Sequence, residues 1–189
     1  MQIRCALVGM PGSGKSTVGR HLAQRLKVPF IDLDHQLEQV LKTSIRQFFE
    51  AEGEARFRDI EAQVLAKVTA RPGGMVLSTG GGAVLRPENR QVLRDFGNVL
   101  YLRASPEEIF KRVKHDRTRR LLQVNNPLQK LRELYAQRDA LYRDAATYVI
   151  ETGRPTVQTL VNMIMMQLEM AGLLPTAVQP SVSSPTRPG

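Results

Sequence analysis

The chain has 189 residues, of which 42% are hydrophobic, and a formal net charge of +9 at pH 7. This length predicts one domain with a substantial core, and no apolar run is long enough for a transmembrane helix or a signal peptide, so we expect a cytoplasmic protein without a membrane partner. The single cysteine, Cys5, excludes an intramolecular disulfide and is expected to be a buried, inert thiol.

The first predicted element is a buried parallel strand at residues 3–8, which leads into the motif Gly-x-x-x-x-Gly-Lys-Ser at residues 9–16. A helix with one apolar face is predicted next, at residues 15–26. A strand, a glycine-rich loop and a helix in this order predict a cradle of backbone amides for phosphate groups. Lys15 is expected to reach the β- and γ-phosphates of a nucleotide, and the Ser16 hydroxyl to bind Mg²⁺.

Strands and helices are predicted to alternate along the rest of the chain. The remaining strands are predicted at residues 29–33, 75–79, 99–102 and 148–150. The remaining helices are predicted at residues 34–41, 45–51, 54–69, 87–96, 106–114, 127–145 and 156–171. This alternation predicts the α/β class, with βαβ units that form a parallel sheet covered on both faces.

The composition changes after Gly172. Residues 173–189 contain four prolines, many serine and threonine residues and one charged residue, without helical or strand periodicity. We therefore expect one domain over residues 1–172 and a disordered tail over residues 173–189. A partner-binding segment and a vector-derived remnant are the alternatives.

Candidate functional residues follow the second and third predicted strands. Asp32 and Asp34 lie at the exit of the second strand, and Gly80, Gly81 and Gly82 follow the third. Ligands of open α/β sheets bind beyond the carboxyl ends of the strands, where an aspartate can deprotonate an attacking hydroxyl group or hold a water of a metal ion. An acidic turn that caps the next helix is the alternative.

The triple glycine has its own explanation. Three successive glycines cost chain entropy, which indicates that another group approaches their backbone closely; a flexible turn is the alternative.

The third strand lacks the terminal aspartate that commonly assists Mg²⁺ in phosphate-loop enzymes. We therefore predict Ser16 and Asp32 as the magnesium-binding residues.

The net charge of +9 fits either a nucleic-acid surface or a site for several anionic groups. The densest basic stretch, residues 111–120, is short and contains no aromatic residues that could stack on bases. We therefore expect a small anionic substrate and no nucleic-acid partner.

Taken together, these motifs resemble those of the shikimate kinase family. They are the phosphate loop continued to residue 20, Asp-x-Asp at 32–34, Glu-Gly-Glu-x-x-Phe-Arg-x-x-Glu at 52–61, the triple glycine, a basic lid ending at 119–122, and Arg-Asp-Ala-Leu-Tyr at 138–142. The resemblance covers residues 3–171. It implies a three-layer P-loop kinase fold of the nucleoside-monophosphate-kinase type with a mobile lid at 113–126, a monomer, and transfer of the γ-phosphoryl group of MgATP to the 3-hydroxyl of shikimate.

The resemblance also implies which residues surround shikimate: Asp34, Arg58, Glu61, Gly80, Gly81, Gly82 and Arg138. Arg58 and Arg138 would clamp the carboxylate, a planar anion that suits guanidinium groups. Asp34 would hold the ring hydroxyls and assist the attacking one, and Glu61 would hold Arg58 in place.

ATP would bind along the phosphate loop, at Gly12, Ser13, Gly14, Lys15, Ser16 and Thr17. Arg112 and the Arg154-Pro155 turn would sandwich the adenine, again by resemblance. Arg119 would neutralise the transferring phosphate as an arginine finger in cis. In this chain Arg120 replaces the proline that usually follows the lid arginine, so Arg117 and Arg120 are rival candidates for that role.

Two other functions fit part of the pattern. Another small-molecule kinase, such as a gluconate kinase, shares the loop and the fold but not the set of Asp-x-Asp, Phe-Arg-x-x-Glu and triple glycine. A non-catalytic, ligand-sensing module of shikimate-kinase type is the second. The presence of Lys15, Asp34, Arg58 and Arg119 favours an enzyme.

The choice of lid arginine can be tested directly. Arg119 follows Arg112 by seven residues, a separation that matches the adenine-stacking and phosphate-reaching pair of the family. We expect Arg119→Lys to lower kcat strongly, because an ammonium group cannot reproduce the guanidinium fork. Arg117→Ala and Arg120→Ala should lower it far less at saturating MgATP and shikimate. A larger loss at Arg117 or Arg120 would show that the finger has been misassigned.

Overall fold

The computed structural model describes residues 2–116, 123–153 and 156–174. Within these residues it contains five strands: β1 (Arg4–Val8), β2 (Phe30–Asp32), β3 (Met75–Ser78), β4 (Asn98–Arg103) and β5 (Tyr148–Glu151). All of the strand pairings are parallel, in the order β2-β3-β1-β4-β5. The predicted parallel sheet is confirmed, with β1 at its centre.

The described residues also form eight helices. They are α1 (Lys15–Leu26), α2 (Leu33–Leu41), α3 (Ile45–Glu52), α4 (Glu54–Thr69), α5 (Pro87–Phe96), α6 (Pro106–Val113), α7 (Pro127–Ala145) and α8 (Val157–Met170). The observed bounds of every helix and strand lie within about one residue of the prediction. None of these helices is long and apolar enough to cross a membrane.

Alternate residues of the central strand face two separate hydrophobic clusters. Ala6 and Val8 pack into a cluster that also contains buried residues of α2, α4, α5, α6 and α7. Cys5 and Leu7 pack on the opposite face, against buried residues of α1 and α8. The predicted three layers follow from this two-residue alternation in β1 and from helices on both faces of the sheet.

Cys5 lies at the middle of this arrangement. Its side chain is fully buried, and burial raises the pKa of its thiol to about 12. The thiol is therefore protonated at neutral pH. Its burial confirms the prediction of a buried cysteine.

The start of α6 carries a reciprocal N-terminal cap. The Glu108 backbone amide donates to the Ser105 hydroxyl at 3.2 Å, and the Ser105 amide donates to the Glu108 carboxylate at 3.0 Å. Pro106 occupies the first turn, where its missing N–H is not needed. Near the other end of α6, Arg112 reaches the phosphate loop.

The end of the folded part differs slightly from the prediction. Gly172 adopts a φ of 71° after α8, as a helix-terminating glycine does. Leu173 and Leu174, which were assigned to the tail, still pack against the cluster of α1 and α8. Two large apolar side chains gain stability by remaining on that surface. Residues 175–189 lie outside the described residues, as does the centre of the predicted lid at 117–122.

Candidate active site

The phosphate loop connects β1 to α1 and curls around a small cavity of about 250 Å³. Gly9, Gly12 and Gly14 have φ angles of 151°, 82° and 94°, which side-chain-bearing residues rarely adopt. At Gly9, a Cβ would also lie 2.7 Å from the Leu102 carbonyl oxygen of the neighbouring strand. The first turn of α1 contains no acidic residue, so its amides give the cavity uncompensated positive potential.

Lys15 is largely buried beneath this loop. Its ammonium group donates to the carbonyl oxygens of Gly9 and Met10 at 2.8 and 2.9 Å. Ser16 and Thr17 line the same cavity together with Gly12 and Gly14. Ser13 is buried below it, and its hydroxyl has no hydrogen-bond partner among the described residues. The loop residues predicted to bind nucleotide are therefore gathered at one anion-binding position.

Ser16 and Asp32 lie together at the edge of this cavity. The Ser16 hydroxyl donates to one Asp32 carboxylate oxygen at 2.8 Å, and the distance between the Ser16 and Ser78 hydroxyl oxygens is 3.4 Å. The other carboxylate oxygen accepts the backbone amides of Asp34 and His35 and so caps α2. Asp32 thus caps α2, which was the alternative interpretation of the acidic turn, and its second carboxylate oxygen lies beside Ser16.

The oxygen donors at this position suit Mg²⁺, which prefers few protein ligands together with phosphate and water oxygens. Among the described residues, no group of three or more histidine, cysteine or acidic side chains could hold a metal ion. A magnesium ion at Ser16 and Asp32 would therefore depend on the nucleotide and water for most of its ligands.

A second cavity, of about 750 Å³, adjoins the first at Asp34. Asp34, Pro11, Gly80 and Gly81 line both cavities. Burial raises the pKa of Asp34 to about 6, the nearby Asp32 carboxylate adds to the rise, and Lys15 opposes it. The carboxylate is therefore mostly ionised at neutral pH, with a proton affinity suited to a general base.

Arg58 and Glu61 form a buried ion pair in the wall of the larger cavity. Both lie on α4, three residues apart, and the Arg58 Nη1 to Glu61 Oε1 distance is 2.8 Å. The Glu61 side chain is only 1% exposed, so burial raises its pKa while the Arg58 charge opposes that rise. Glu54 also contacts Arg58, at 3.3 Å. The guanidinium is thus held from two sides, and the predicted role of Glu61 agrees with this geometry.

Arg138 projects from α7 into the same cavity. Its Nε is buried and has no hydrogen-bond partner among the described residues. A buried cationic nitrogen without an acceptor is costly, so this position favours an anionic ligand. Arg58 and Arg138, which lie 80 residues apart, thus reach one cavity as the resemblance implied.

The three glycines permit three close approaches. A Cβ at Gly80 would lie 2.8 Å from a carboxylate oxygen of Asp34, and one at Gly81 would lie 2.6 Å from Pro11. Gly82 abuts the Arg58 guanidinium directly, with no room for a side chain. Close approach, rather than flexibility, is therefore the reason for the glycine turn, defined here as residues 80–82.

Arg112 connects the phosphate loop to the chain that follows β5. It donates to the Ser13 carbonyl oxygen at 3.3 Å and to the Thr152 carbonyl oxygen at 2.6 Å. This position beside the loop is consistent with a nucleotide contact. The other residues predicted to contact the nucleotide or lid lie outside the described residues: Arg117, Arg119, Arg120, Arg154 and Pro155.

Four residues of the larger cavity were not among the predicted site residues. Phe49 and Phe57, whose ring centroids lie 4.7 Å apart, form an apolar wall, and Arg46 and Lys130 add positive charge. Phe57 belongs to the motif quoted above, whereas Phe49 follows only the apolar face of α3. Arg46 and Lys130 resemble ordinary exposed helix residues, so the sequence alone does not single them out.

Comparisons with known proteins agree on one family. Residues 11–169 match the family described as shikimate kinase. A shikimate kinase of Paracidovorax citrulli is 57% identical over 176 residues, which cover 92% of this chain and 96% of that protein. The structure of a shikimate kinase from Acinetobacter baumannii in complex with shikimate has a TM-score of 0.87 and 42% identity, and covers 92% of this chain and 97% of that one.

A gluconokinase structure from Sinorhizobium meliloti is more distant. Its TM-score is 0.59 at 17% identity, with 90% of this chain and 93% of that one covered. At this identity the similarity extends to the fold alone.

The raised pKa of Asp34 predicts a measurable dependence of stability on pH. Because the folded-state pKa of about 6 exceeds the ordinary value of 3.8, the native state is favoured by protonation of Asp34, and this contribution is lost as pH rises through 6. Asp34→Asn removes the buried charge and should raise the free energy of unfolding at pH 8 by about 1–3 kcal/mol. Below pH 4 the gain should vanish.

Urea denaturation of both proteins at pH 4 and pH 8 measures this difference. Asp95→Asn, at an exposed aspartate of α5, is the matched control and should not alter the pH dependence. Parallel pH profiles for the wild type and Asp34→Asn would contradict the assigned pKa.

Proposed function

We propose that this chain, which belongs to the shikimate kinase family, transfers the γ-phosphoryl group of ATP to the 3-hydroxyl of shikimate, giving shikimate 3-phosphate and ADP. Its three layers form the P-loop kinase fold of the nucleoside-monophosphate-kinase type. The observation that carries the proposal is the meeting of a phosphate loop and a cation-lined cavity at one partly buried carboxylate, Asp34.

Shikimate is held through its carboxylate by two guanidinium groups. Arg138 has an unpaired Nε that an acceptor oxygen would satisfy, and Arg58 is oriented by Glu61. Two charge-assisted contacts on one planar anion fix its position as well as its orientation. Phe49 and Phe57 would then exclude water from one side of the ring.

Asp34 acts on the attacking hydroxyl group at the junction of the two cavities. The hydroxyl oxygen attacks the γ-phosphorus of ATP, and its proton passes to the Asp34 carboxylate as the bond from phosphorus to the β-γ bridging oxygen breaks. Lys15 shifts from the loop carbonyls to phosphate oxygens and stabilises their charge. Catalysis of this kind depends mainly on positioning and on electrostatic stabilisation.

Ser16 and Asp32 would hold Mg²⁺, which would neutralise charge on the β- and γ-phosphates. Ser16 presents its hydroxyl at the start of α1, and Asp32 presents a carboxylate oxygen 2.8 Å from it. A monomeric state, a cytoplasmic location and the absence of a nucleic-acid partner stay predictions from the sequence.

The activity is tested by coupled measurement of ADP release with shikimate, gluconate and nucleoside monophosphates. Among these three acceptors, we expect turnover only with shikimate. Lys15→Met should lower kcat by several powers of ten, because the ammonium group contacts phosphate oxygens whose charge changes during the transfer. Lys67→Met, at an exposed lysine of α4, is the control and should leave kcat unchanged. Turnover with gluconate instead, or an active Lys15→Met variant, would refute the proposal.

The carboxylate clamp makes a separate prediction. Arg58→Ala and Arg138→Ala should each raise the KM for shikimate about 10- to 100-fold, since each removes a charge-assisted contact worth about 1.5–3 kcal/mol. The KM for ATP should change little. Arg143→Ala removes an exposed arginine of the same helix, α7, that pairs with Asp139, and should leave both values unchanged. If only the KM for ATP rises, the clamp lies elsewhere.

A further inference from the structure

Tyr142 ends the motif at residues 138–142, and the mechanism above gives it no role. Its side chain is fully buried on α7, one helical turn after Arg138. Its hydroxyl donates a hydrogen bond of 2.6 Å to the carbonyl oxygen of Gly81. A buried tyrosine hydroxyl requires a partner, and this one finds it in the wall of the larger cavity.

With this hydrogen bond, each of the three carbonyl oxygens of the glycine turn accepts from a donor. The carbonyl oxygens of Gly80 and Gly82 accept backbone amides three residues later, at 3.2 and 3.1 Å. The carbonyl oxygen of Gly81 accepts from Tyr142, which is 61 residues away in sequence. Two of the three contacts are therefore local, whereas the third ties the turn to α7.

The position of the glycine turn determines the position of two other groups. Gly80 packs against the Asp34 carboxylate and Gly82 against the Arg58 guanidinium, without space for a side chain at either position. A displacement of the turn would therefore alter the contacts of both. Because α7 also carries Arg138, the Tyr142–Gly81 bond links the helix of one cavity arginine to the turn that packs against the other.

Arg138 also acts on the Tyr142 hydroxyl through its charge. Burial raises the pKa of Tyr142 to about 12, and the Arg138 charge opposes that rise. The hydroxyl thus stays protonated at neutral pH and can donate to the carbonyl oxygen of Gly81.

We propose that Tyr142 is a positioning residue of the shikimate site, whose hydroxyl holds the glycine turn and Arg138 at the separation that the substrate carboxylate requires. It lies behind the cavity wall and touches no reacting atom. This inference rests on the proposed function, because it concerns the affinity of the same cavity for shikimate.

The test compares two tyrosines that differ in where their hydroxyl points. Tyr101 is also fully buried, its ring lies 5.0 Å from that of Tyr142, and its hydroxyl donates to Asp139 at 2.7 Å, away from the cavity. Tyr142→Phe should raise the KM for shikimate about three- to tenfold, as expected for one lost hydrogen bond in the site, with kcat and the KM for ATP within about twofold of wild type. Tyr101→Phe should leave all three unchanged.

Thermal unfolding of both variants separates positioning from stability. Each variant loses one buried hydroxyl hydrogen bond, so both should unfold at slightly lower temperatures, and only Tyr142→Phe should bind shikimate more weakly by calorimetry. In the Arg138→Ala background the effect of Tyr142→Phe on KM should shrink, because the two residues act together.

Three outcomes would overturn this role of Tyr142. These are an unchanged KM for shikimate in Tyr142→Phe, an equal rise in Tyr101→Phe, and an equal rise in the KM for ATP. A wild-type protein without turnover on shikimate would instead refute the proposed function, and this inference with it.

Discussion

The parallel pairing of β2, β3 and β1 brings the loops that follow these strands to one edge of the sheet, and the site depends on that constraint. The phosphate loop follows β1, Asp34 follows β2 and the glycine turn follows β3. Contact of Gly81 with Pro11 joins two of these segments, and contact of Gly80 with Asp34 joins the third. The two cavities therefore share a wall.

Two carboxylates near that wall, Glu61 and Asp34, have different charged neighbours. Burial raises the pKa of Glu61, and the Arg58 charge at 2.8 Å opposes that rise. Burial also raises the pKa of Asp34, where the Asp32 carboxylate adds to the rise and Lys15 opposes it. The same two effects, burial and neighbouring charge, thus act on a carboxylate paired with an arginine on α4 and on one beside a second carboxylate at the start of α2.

Local patterns in the sequence predict most of the fold and the positions of many site residues. Apolar periodicity placed the helices and strands, because this pattern is determined within a few neighbouring residues. The convergence of Arg58 and Arg138 followed from a family resemblance rather than from spacing. The contacts of Tyr142 with Gly81 and of Arg112 with Ser13 join distant segments, and periodicity carries no information about such pairs.

The location of Cys5 gives this chain an internal reporter. Its thiol lies in the central strand, fully enclosed between the two helical layers, and only the thiolate reacts readily with disulfide reagents. A reagent can therefore reach this sulfur only in molecules whose sheet has opened, so the labelling rate measures the population of the open state. Occupancy of either cavity stabilises the closed state and slows that labelling, which makes one native cysteine a gauge of ligand binding without any introduced probe.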